Sequence, residues 1–251
     1  MKHNFKKKFG QNFISDKNLL TAMVNDAQIT KADSVLEIGA GQGSLTGVLD
    51  ERAGKVISYE IDTELKSTLE GLKLKNTTFI FKDALKEPLP SIEDHFDGKY
   101  KIVANLPYYI TSPLIFKFLN NSKKVESLTV MVQKEVAKRM GAKQGEDDYG
   151  LLAIMIEFYG KAQITRYVDK KMFLPIPKVD SAIVHIELTN KYPDIDGQKF
   201  YRFLQACFSM RRKTLQNNLN HAYPMLKDKL LSIFGEDLKK RSEQLSLEEF
   251  I

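Results

Sequence analysis

Short apolar runs recur along the first three quarters of the chain, and most are followed by a stretch with helical periodicity. Short apolar runs between polar or glycine positions are typical of buried strands, whereas apolar residues spaced three and four apart are typical of helices. The pattern predicts strands at 34–38, 55–60, 77–81, 102–104 and 127–132, and an alternating pair at 164–168 and 182–188. It predicts helices from a cap at Asp16 to about residue 27, after residue 43, and at 134–140 and 149–159. Strands that alternate with helices indicate an α/β domain with a parallel sheet.

The first four predicted strands end in glycine or polar residues. The glycine-rich run GAGQG at 39–43 follows the first strand, and Glu60, Asp83 and Asn105 lie at the ends of the next three. The carboxyl ends of parallel strands share one edge of a sheet, and ligands bind at that edge. Glycines allow a ligand to approach the backbone, and a carboxylate at the second strand end can accept hydrogen bonds from both ribose hydroxyls. This pattern predicts a nucleotide-like ligand.

Two features favour S-adenosylmethionine over a dinucleotide as that ligand. Glu37 stands inside the glycine motif where the dinucleotide fingerprint usually carries an apolar residue, and Ser44 replaces the third glycine. Asp83 adds a polar partner for an adenine amine at the third strand end. A methyl donor therefore fits the pattern best.

The fourth strand runs into Asn105-Leu-Pro-Tyr-Tyr109, a segment suited to a second, aromatic ligand. Pro107 fixes its own φ and keeps Leu106 extended, so the turn is stiff. The Asn105 side-chain oxygen can accept a hydrogen bond from an exocyclic amine, and Tyr108 offers a face for base stacking. These groups suit a flipped adenine, although a strand end with an Asx turn and a core tyrosine would show the same residues.

Composition and charge favour a nucleic-acid partner. The chain has 251 residues, a net charge of +6, one cysteine (Cys207) and four scattered histidines. We therefore expect neither a disulfide framework nor a metal site, and the hydropathy pattern leads us to expect a cytoplasmic monomer without a membrane partner. Basic residues cluster near the N-terminus and again late in the chain, where they can bind phosphate or be ordinary solvated surface; they are Lys6, Lys7, Lys8, Arg211, Arg212 and Lys213.

The composition changes to Asn, Pro, Asp and Gly at 190–197, which indicates a linker. Beyond it the pattern is helical, with Phe200, Phe203, Leu204 and Cys207 on one face. We therefore predict two domains, an α/β domain at 1–190 with a basic N-terminal arm and a helical RNA-binding domain at 191–251.

Seven motifs, spread over nearly the whole chain, resemble those of the ribosomal RNA adenine N6,N6-dimethyltransferases. They are FGQNF at 9–13, LEIGAG at 36–41, NLPY at 105–108, MVQKEV at 131–136, FLPIPKVDS at 173–181, FSMRRKTL at 208–215 and LSLEEF at 245–250. The resemblance implies a class I methyltransferase fold, Rossmann-like with a seven-stranded sheet, and S-adenosylmethionine as cofactor. Met210 departs from the polar residue expected there.

The resemblance and the strand-end pattern together give a candidate site. The donor-binding residues are Gln11, Asn12, Ile14, Gly39, Gly41, Glu60, Ile61, Asp83, Ala84 and Asn105. The residues around the target adenine are Asn105, Leu106, Pro107, Tyr108 and Phe173. Two prolines stiffen the loop of Phe173, which could stack opposite Tyr108 or pack beneath the loop.

The implied reaction is dimethylation of two adjacent adenosines in the 3′-terminal hairpin of 16S small-subunit ribosomal RNA, with immature small subunits as partners. Three alternatives remain open. A DNA adenine methyltransferase would share the Asn-Pro-Tyr chemistry. A large-subunit RNA enzyme of the macrolide-resistance type shares the early motifs, but the cluster at 211–213 resembles the small-subunit branch. The chain could also act chiefly as a ribosome-assembly factor.

Overall fold

A computed structural model describes residues 13–189 and 191–251. The described chain divides into two compact units. The sheet unit comprises residues 13–137 and 162–189, and the helical unit comprises 138–161 and 191–251.

Seven strands form the main sheet, and two short strands form a separate antiparallel pair. In chain order the strands are β1 (Phe13–Ile14), β2 (Ser34–Ile38), β3 (Lys55–Tyr59), β4 (Thr77–Ile80), β5 (Tyr100–Asn105), β6 (Val125–Gln133), β7 (Gly160–Val168), β8 (Phe173–Leu174) and β9 (Ser181–Leu188). The order across the main sheet is β4-β3-β2-β5-β6-β9-β7. Strands β2 to β6 are parallel to one another, and β9 pairs antiparallel with β6. The carboxyl ends of β2, β3, β4 and β5 therefore lie side by side.

The helices that follow these strands are mostly short. In chain order they are α1 (Lys17–Asp26), α2 (Ser44–Arg52), α3 (Lys66–Glu70), α4 (Leu89–Glu93), α5 (Thr111–Asn121) and α6 (Lys134–Gly141). The Asp16 side chain accepts a hydrogen bond from the Leu19 amide at 2.8 Å, which satisfies one of the free N–H groups at the start of α1. No helix among the described residues is both long enough and apolar enough to cross a membrane.

The central strands are apolar on both faces because helices cover a parallel sheet on each side. Val35, Leu36, Val56, Val103 and Val130 are almost completely buried. This explains why these strands form continuous apolar runs in the sequence rather than alternating ones. A buried sheet gives the polar residues at the strand ends a rigid support.

The helical unit contains α7 (Leu151–Tyr159), α8 (Gly197–Cys207), α9 (Leu215–Ala222), α10 (Lys227–Phe234) and α11 (Leu247–Phe250). The segment 138–161 groups with this unit, whereas the sequence pattern assigned it to the first domain. The reason is aromatic packing: the ring of Phe158 lies 5.4 Å from that of Tyr192 and 4.8 Å from that of Phe200, between centroids. One division between the two units follows residue 189.

The structure confirms the predicted α/β class and the seven-stranded sheet. The predicted strands differ from the observed ones by a few residues at their ends; the third, predicted to reach residue 81, ends at Ile80. The pair β1–β8 was not predicted. In it, Phe13 lies opposite Leu174 and Ile14 opposite Phe173.

Candidate active site

The glycine loop connects β2 to α2 through left-handed backbone conformations. Gly39, Gly41 and Gly43 have φ values of 85°, 58° and 84°, which side chains rarely tolerate. A Cβ atom at Gly41 would lie 2.7 Å from a ring carbon of Phe13, so the loop also approaches its neighbour closely. Both features explain why glycine occupies these positions.

Glu60, which follows β3, binds this loop through hydrogen bonds of its carboxylate. One carboxylate oxygen, Oε2, accepts a hydrogen bond from the Gly41 amide at 2.8 Å, and Oε1 accepts one from the Asp62 amide at 2.8 Å. Burial raises the pKa of Glu60, although the two amide hydrogen bonds oppose that shift. Each oxygen retains a further lone pair, so the carboxylate can still accept hydrogen bonds from a ligand hydroxyl.

Asp83 shapes the turn after β4. Its Oδ1 accepts a hydrogen bond from the Leu85 amide at 3.0 Å, and its backbone carbonyl accepts bonds from the amides of Lys86 and Glu87. Asp83 is half-buried, and it lines a cleft at the strand ends together with the neighbouring Ala84. A polar side chain is thus held at the cavity wall by its own turn.

The segment Asn105–Tyr108 leaves the end of β5 in a stiff, extended form. The Leu106 amide donates to the carbonyl of Met131 at 3.3 Å. The Pro107 carbonyl already accepts bonds from the Ile110 amide and the Thr111 hydroxyl, which leaves the Leu106 carbonyl as the better placed backbone acceptor for a substrate.

The ring of Tyr108 is half-buried at the cavity. Its hydroxyl oxygen lies 2.7 Å from that of Ser181, the first residue of β9, which is fully buried. Burial raises the pKa of Tyr108, so the phenol is neutral at physiological pH. The ring is therefore anchored at its hydroxyl and lines the cleft.

These four strand ends surround one cleft with about 960 Å³ of empty space, part of it open to solvent. Eleven of the predicted site residues line the cleft: Ile14, Gly39, Gly41, Glu60, Ile61, Asp83, Ala84, Asn105, Leu106, Pro107 and Tyr108. A glycine loop, a carboxylate and a polar turn around one cleft fit an adenosine-bearing ligand such as S-adenosylmethionine.

Glu37 lies directly before the glycine loop and is fully buried. Its Oε2 accepts hydrogen bonds from the hydroxyls of Thr46 at 2.7 Å and Ser58 at 2.6 Å, whereas Oε1 has no hydrogen-bond partner. Burial raises the pKa of Glu37 to about 7, and the nearby charge of Glu60 acts in the same direction. Glu37 thus links β2 to α2 and to β3, and it does not line the cleft.

The remaining predicted residues are not part of the cleft as described. Phe173 is 3% exposed and packs in the apolar core with Ile14, so in this conformation its ring offers no free face for stacking. The packed alternative raised by the sequence is the one observed, and a stacking role would require the ring to leave the core.

Arg211, Arg212 and Lys213 are exposed in the turn between α8 and α9 of the helical unit. Buried Asn218 shapes this turn: its Oδ1 accepts bonds from the Ser209 hydroxyl at 3.0 Å and the Met210 amide at 2.8 Å. The other predicted positions, Lys6, Lys7, Lys8, Gln11 and Asn12, lie outside the described residues. The described part of the chain contains no cluster of side chains that could hold a metal ion.

Sequence reasoning missed several residues in and around the cleft. Phe13 and Ser181 lie inside two of the family motifs, but the sequence does not indicate the contacts that these residues make. Tyr109 follows the NLPY motif and is 56% exposed at the cleft, and the sequence indicated no role for it. Lys117, whose ammonium contacts the turn after β4, carries no sequence signal.

Comparison with known proteins gives the family. A model of the family described as ribosomal RNA adenine dimethylase matches residues 2–251. A Mycoplasma mobile protein named ribosomal RNA small subunit methyltransferase A is 41% identical, over 98% of this chain and 96% of its own length. A protein of the same name from Caldanaerobacter subterraneus is 42% identical, over 98% and 94%.

Solved structures agree with this family. A dimethyladenosine transferase from Plasmodium falciparum has a TM-score of 0.82 and 30% identity, covering 95% of this chain and 94% of that one. The 23S rRNA methyltransferase ErmE has a TM-score of 0.69 and 27% identity, covering 95% and 98%. The cleft, the sheet and these matches together identify the chain as a member of the ribosomal RNA adenine dimethylase family, enzymes whose methyl donor is S-adenosylmethionine.

Proposed function

We propose that this enzyme dimethylates N6 of two adjacent adenosines in the 3′-terminal hairpin of small-subunit ribosomal RNA. It would act as a cytoplasmic monomer on immature small subunits and take part in their maturation. Relatives that share more than 40% of its residues are named for the small subunit. The observation that carries the proposal is that the Asn105–Tyr108 segment opens into the same cleft as Glu60 and Asp83.

In this proposal the donor lies along the glycine loop. Glu60 accepts hydrogen bonds from the ribose hydroxyls, and Asp83 accepts one from the adenine amine of the donor. Gly39 and Gly41 allow the ligand to approach the backbone, while Ile14, Ile61 and Ala84 supply apolar contact. When bound, S-adenosylmethionine supplies an electrophilic methyl group.

The acceptor side orients the target amine. Adenine N6 is a poor nucleophile because its lone pair is delocalised into the ring. The Asn105 side-chain oxygen and the Leu106 carbonyl accept hydrogen bonds from the N–H groups of N6 and favour tetrahedral geometry at that nitrogen. The ring of Tyr108 stacks on the flipped base. The chain thus contributes orientation and placed partial charge. The methylated ammonium is acidic, so its proton can pass to solvent or to the Leu106 carbonyl without a strong general base.

The test combines transfer of a labelled methyl group with mapping of the labelled base. Unmethylated small-subunit particles should accept methyl groups at two adjacent adenosines. Replacing Asn105 by Ala should lower turnover by on the order of 10²–10³, because a preorganised polar group is lost in the transition state. The control Asn25→Ala alters an exposed asparagine near the end of α1, away from the cleft, and should leave turnover intact. Near-normal turnover of Asn105→Ala would refute the mechanism.

The similarity to ErmE favours one alternative substrate, large-subunit RNA. The same assay decides between the two, since protein-free large-subunit RNA can be offered in parallel and its labelled position mapped. Methylation confined to the large-subunit RNA would overturn the substrate proposed here. An assembly function is tested with Asn105→Ala in cells: full support of subunit maturation without methylation would make assembly the principal role.

A further inference from the structure

Lys117 lies on α5, the helix that follows the Asn105–Tyr108 segment, and its side chain reaches the turn after β4. The ammonium donates hydrogen bonds to the carbonyls of Ala84 at 2.7 Å and Leu85 at 3.2 Å, and a third to the carbonyl of Glu87. The three donors of one ammonium group are thus matched by three backbone acceptors. Lysine side chains usually remain in solvent, so this half-buried arrangement is unusual for a lysine.

Asp83 binds the backbone amides of the turn 83–87. Its side chain accepts a hydrogen bond from the Leu85 amide, and its backbone carbonyl accepts hydrogen bonds from the amides of Lys86 and Glu87. Lys117 binds carbonyls of the turn instead, and without its ammonium these carbonyls would need water as a partner. The amides of the turn would then keep their bonds to Asp83, whereas these carbonyls would lose the bonds to Lys117.

The same turn forms one wall of the donor cleft. Asp83, Ala84 and Leu85 all line it, and Lys117 does not. We propose that Lys117 is a positioning residue for the methyl donor: its ammonium fixes the turn 83–87 so that Asp83 and Ala84 face the donor's adenine. This inference rests on the donor placement proposed above.

Charge supports the need for a cation at this position. Burial lowers the pKa of Lys117, while the carboxylates of Asp83 and Glu87 raise it. A cation strengthens hydrogen bonds to carbonyls. Lys82 and Lys86 pair with the carboxylates of Glu87 and Asp83, whereas Lys117 binds the carbonyls of the turn. A neutral side chain of the same length would not supply this strengthening.

A second lysine gives a matched control. Lys124 donates to the carbonyls of Glu93 at 3.3 Å and Phe96 at 3.0 Å, also in the sheet unit, and none of these residues lines the cleft. Lys117 and Lys124 therefore make the same kind of contact, but only one of them holds a wall of the cleft. If replacing such a lysine only weakens folding, both variants should be affected. If Lys117 positions the donor, only its replacement should weaken donor binding.

The experiment measures donor affinity by titration calorimetry for the full-length variants Lys117→Met and Lys124→Met. For Lys117→Met we expect the Kd for S-adenosylmethionine to rise about tenfold, as expected for losing charged hydrogen bonds that order a binding wall. Turnover at saturating donor should stay within about twofold, because Asn105 and Tyr108 are unchanged. Amide hydrogen exchange at 85–87 should also become faster. Lys124→Met should leave the donor Kd within about twofold.

An unchanged donor Kd in folded Lys117→Met would overturn the inference, as would an equal loss in Lys124→Met. If Lys117→Met does not fold, Lys117→Gln, which keeps one donor group, takes its place with the same expected direction. Asp83→Ala separates this inference from the donor placement. If Asp83→Ala binds the donor normally, the proposed placement of the donor beside Asp83 is wrong. If Asp83→Ala binds the donor weakly and Lys117→Met binds it normally, the role of Lys117 is refuted.

Discussion

At the scale of single residues, the carboxyl of Glu37 is the group whose charge state depends most clearly on the fold. It is fully buried and one of its oxygens has no hydrogen-bond partner, so its pKa is raised from 4.5 to about 7. Near neutral pH the folded protein therefore holds a proton there that the unfolded chain has released. The group that links β2 to α2 and β3 therefore changes its charge near neutral pH.

This gives a prediction for stability against pH. Between about pH 4.5 and 7 the folded state binds more protons at Glu37 than the unfolded state, so the free energy of unfolding falls as pH rises through this window. Glu37→Gln mimics the protonated form and should remove on the order of 1–3 kcal/mol of that pH dependence. The measurement is urea unfolding of both proteins from pH 5 to 8. A difference between them that does not vary with pH would show that Glu37 does not titrate there.

Comparing the two proteins removes the contributions of other groups. His185, for example, has its pKa lowered by burial, so it reduces stability as pH falls through its ordinary value near 6.5. That slope has the opposite sign to the one expected from Glu37, and it is common to wild type and variant. The difference curve therefore isolates Glu37.

Single residues also show where sequence reasoning succeeds and where it stops. Glu60, Asp83 and Asn105 could be predicted as strand-end residues because each comes at the end of an apolar run or within a few residues of it. Lys117 could not, since its partners lie 30 to 33 positions away and no local pattern encodes them. Phe173 could not be assigned either, because a buried and a stacking phenylalanine occupy the same sequence context.

At the scale of elements, β9 supports the acceptor side of the cleft through the Tyr108–Ser181 hydrogen bond. Ser181→Ala and Tyr108→Phe remove the same bond from opposite ends. Each should lower kcat/KM by about 2–10-fold, and the double variant should lose little more than either single one. Methyl-transfer kinetics on small-subunit particles would measure this cycle. Additive losses would mean that the bond does not position Tyr108.

A hydrogen bond between β6 and β9 provides a control for this cycle. The Thr129 hydroxyl lies 2.8 Å from Nδ1 of His185, and Thr129 does not line the cleft. Thr129→Val removes a comparable bond and should reduce stability without changing kcat/KM. A drop in kcat/KM equal to that of Ser181→Ala would attribute both effects to a general loosening of the sheet.

Elements differ in how well a sequence reveals them. The strands of the main sheet are long enough for an apolar run to be visible, and their burial on both faces keeps the run continuous. The pair β1–β8 has two residues in each strand, which is too short for any periodicity. Its existence depends on pairing between segments about 160 positions apart, for which a single sequence contains no signal.

At the scale of the whole molecule, charge is distributed over both units, and the turn at 211–213 is a concentrated cationic site in the helical unit. Asn218 holds the backbone of that turn through its bond to the Met210 amide. The side chains of 211–213 are exposed between α8 and α9. Domain assignment is harder at this scale. Periodicity predicted a helix at 149–159, and the observed helix spans Leu151–Tyr159, but the aromatic packing of Phe158 is what shows which unit it belongs to.

If this turn binds phosphates, affinity for RNA should depend on salt. The slope of log K against log salt should change by about 0.7 to 0.9 for each phosphate that the protein no longer neutralises. Replacing Arg211, Arg212 and Lys213 by Gln should therefore flatten the slope by up to about 2–3. The control replaces Lys227, Lys229 and Lys239, which are also exposed in the helical unit. Filter binding at several salt concentrations would compare the slopes, and equal slopes in all three proteins would leave the turn as ordinary surface.

The bond between Tyr108 and Ser181 joins positions 73 residues apart, whereas the strand ends that form the donor side all lie between residues 38 and 105. The donor side and the support of the acceptor tyrosine are thus encoded in separate stretches of one gene. A substitution at Ser181 therefore changes the support of Tyr108 without altering any of the strand ends proposed to hold the donor.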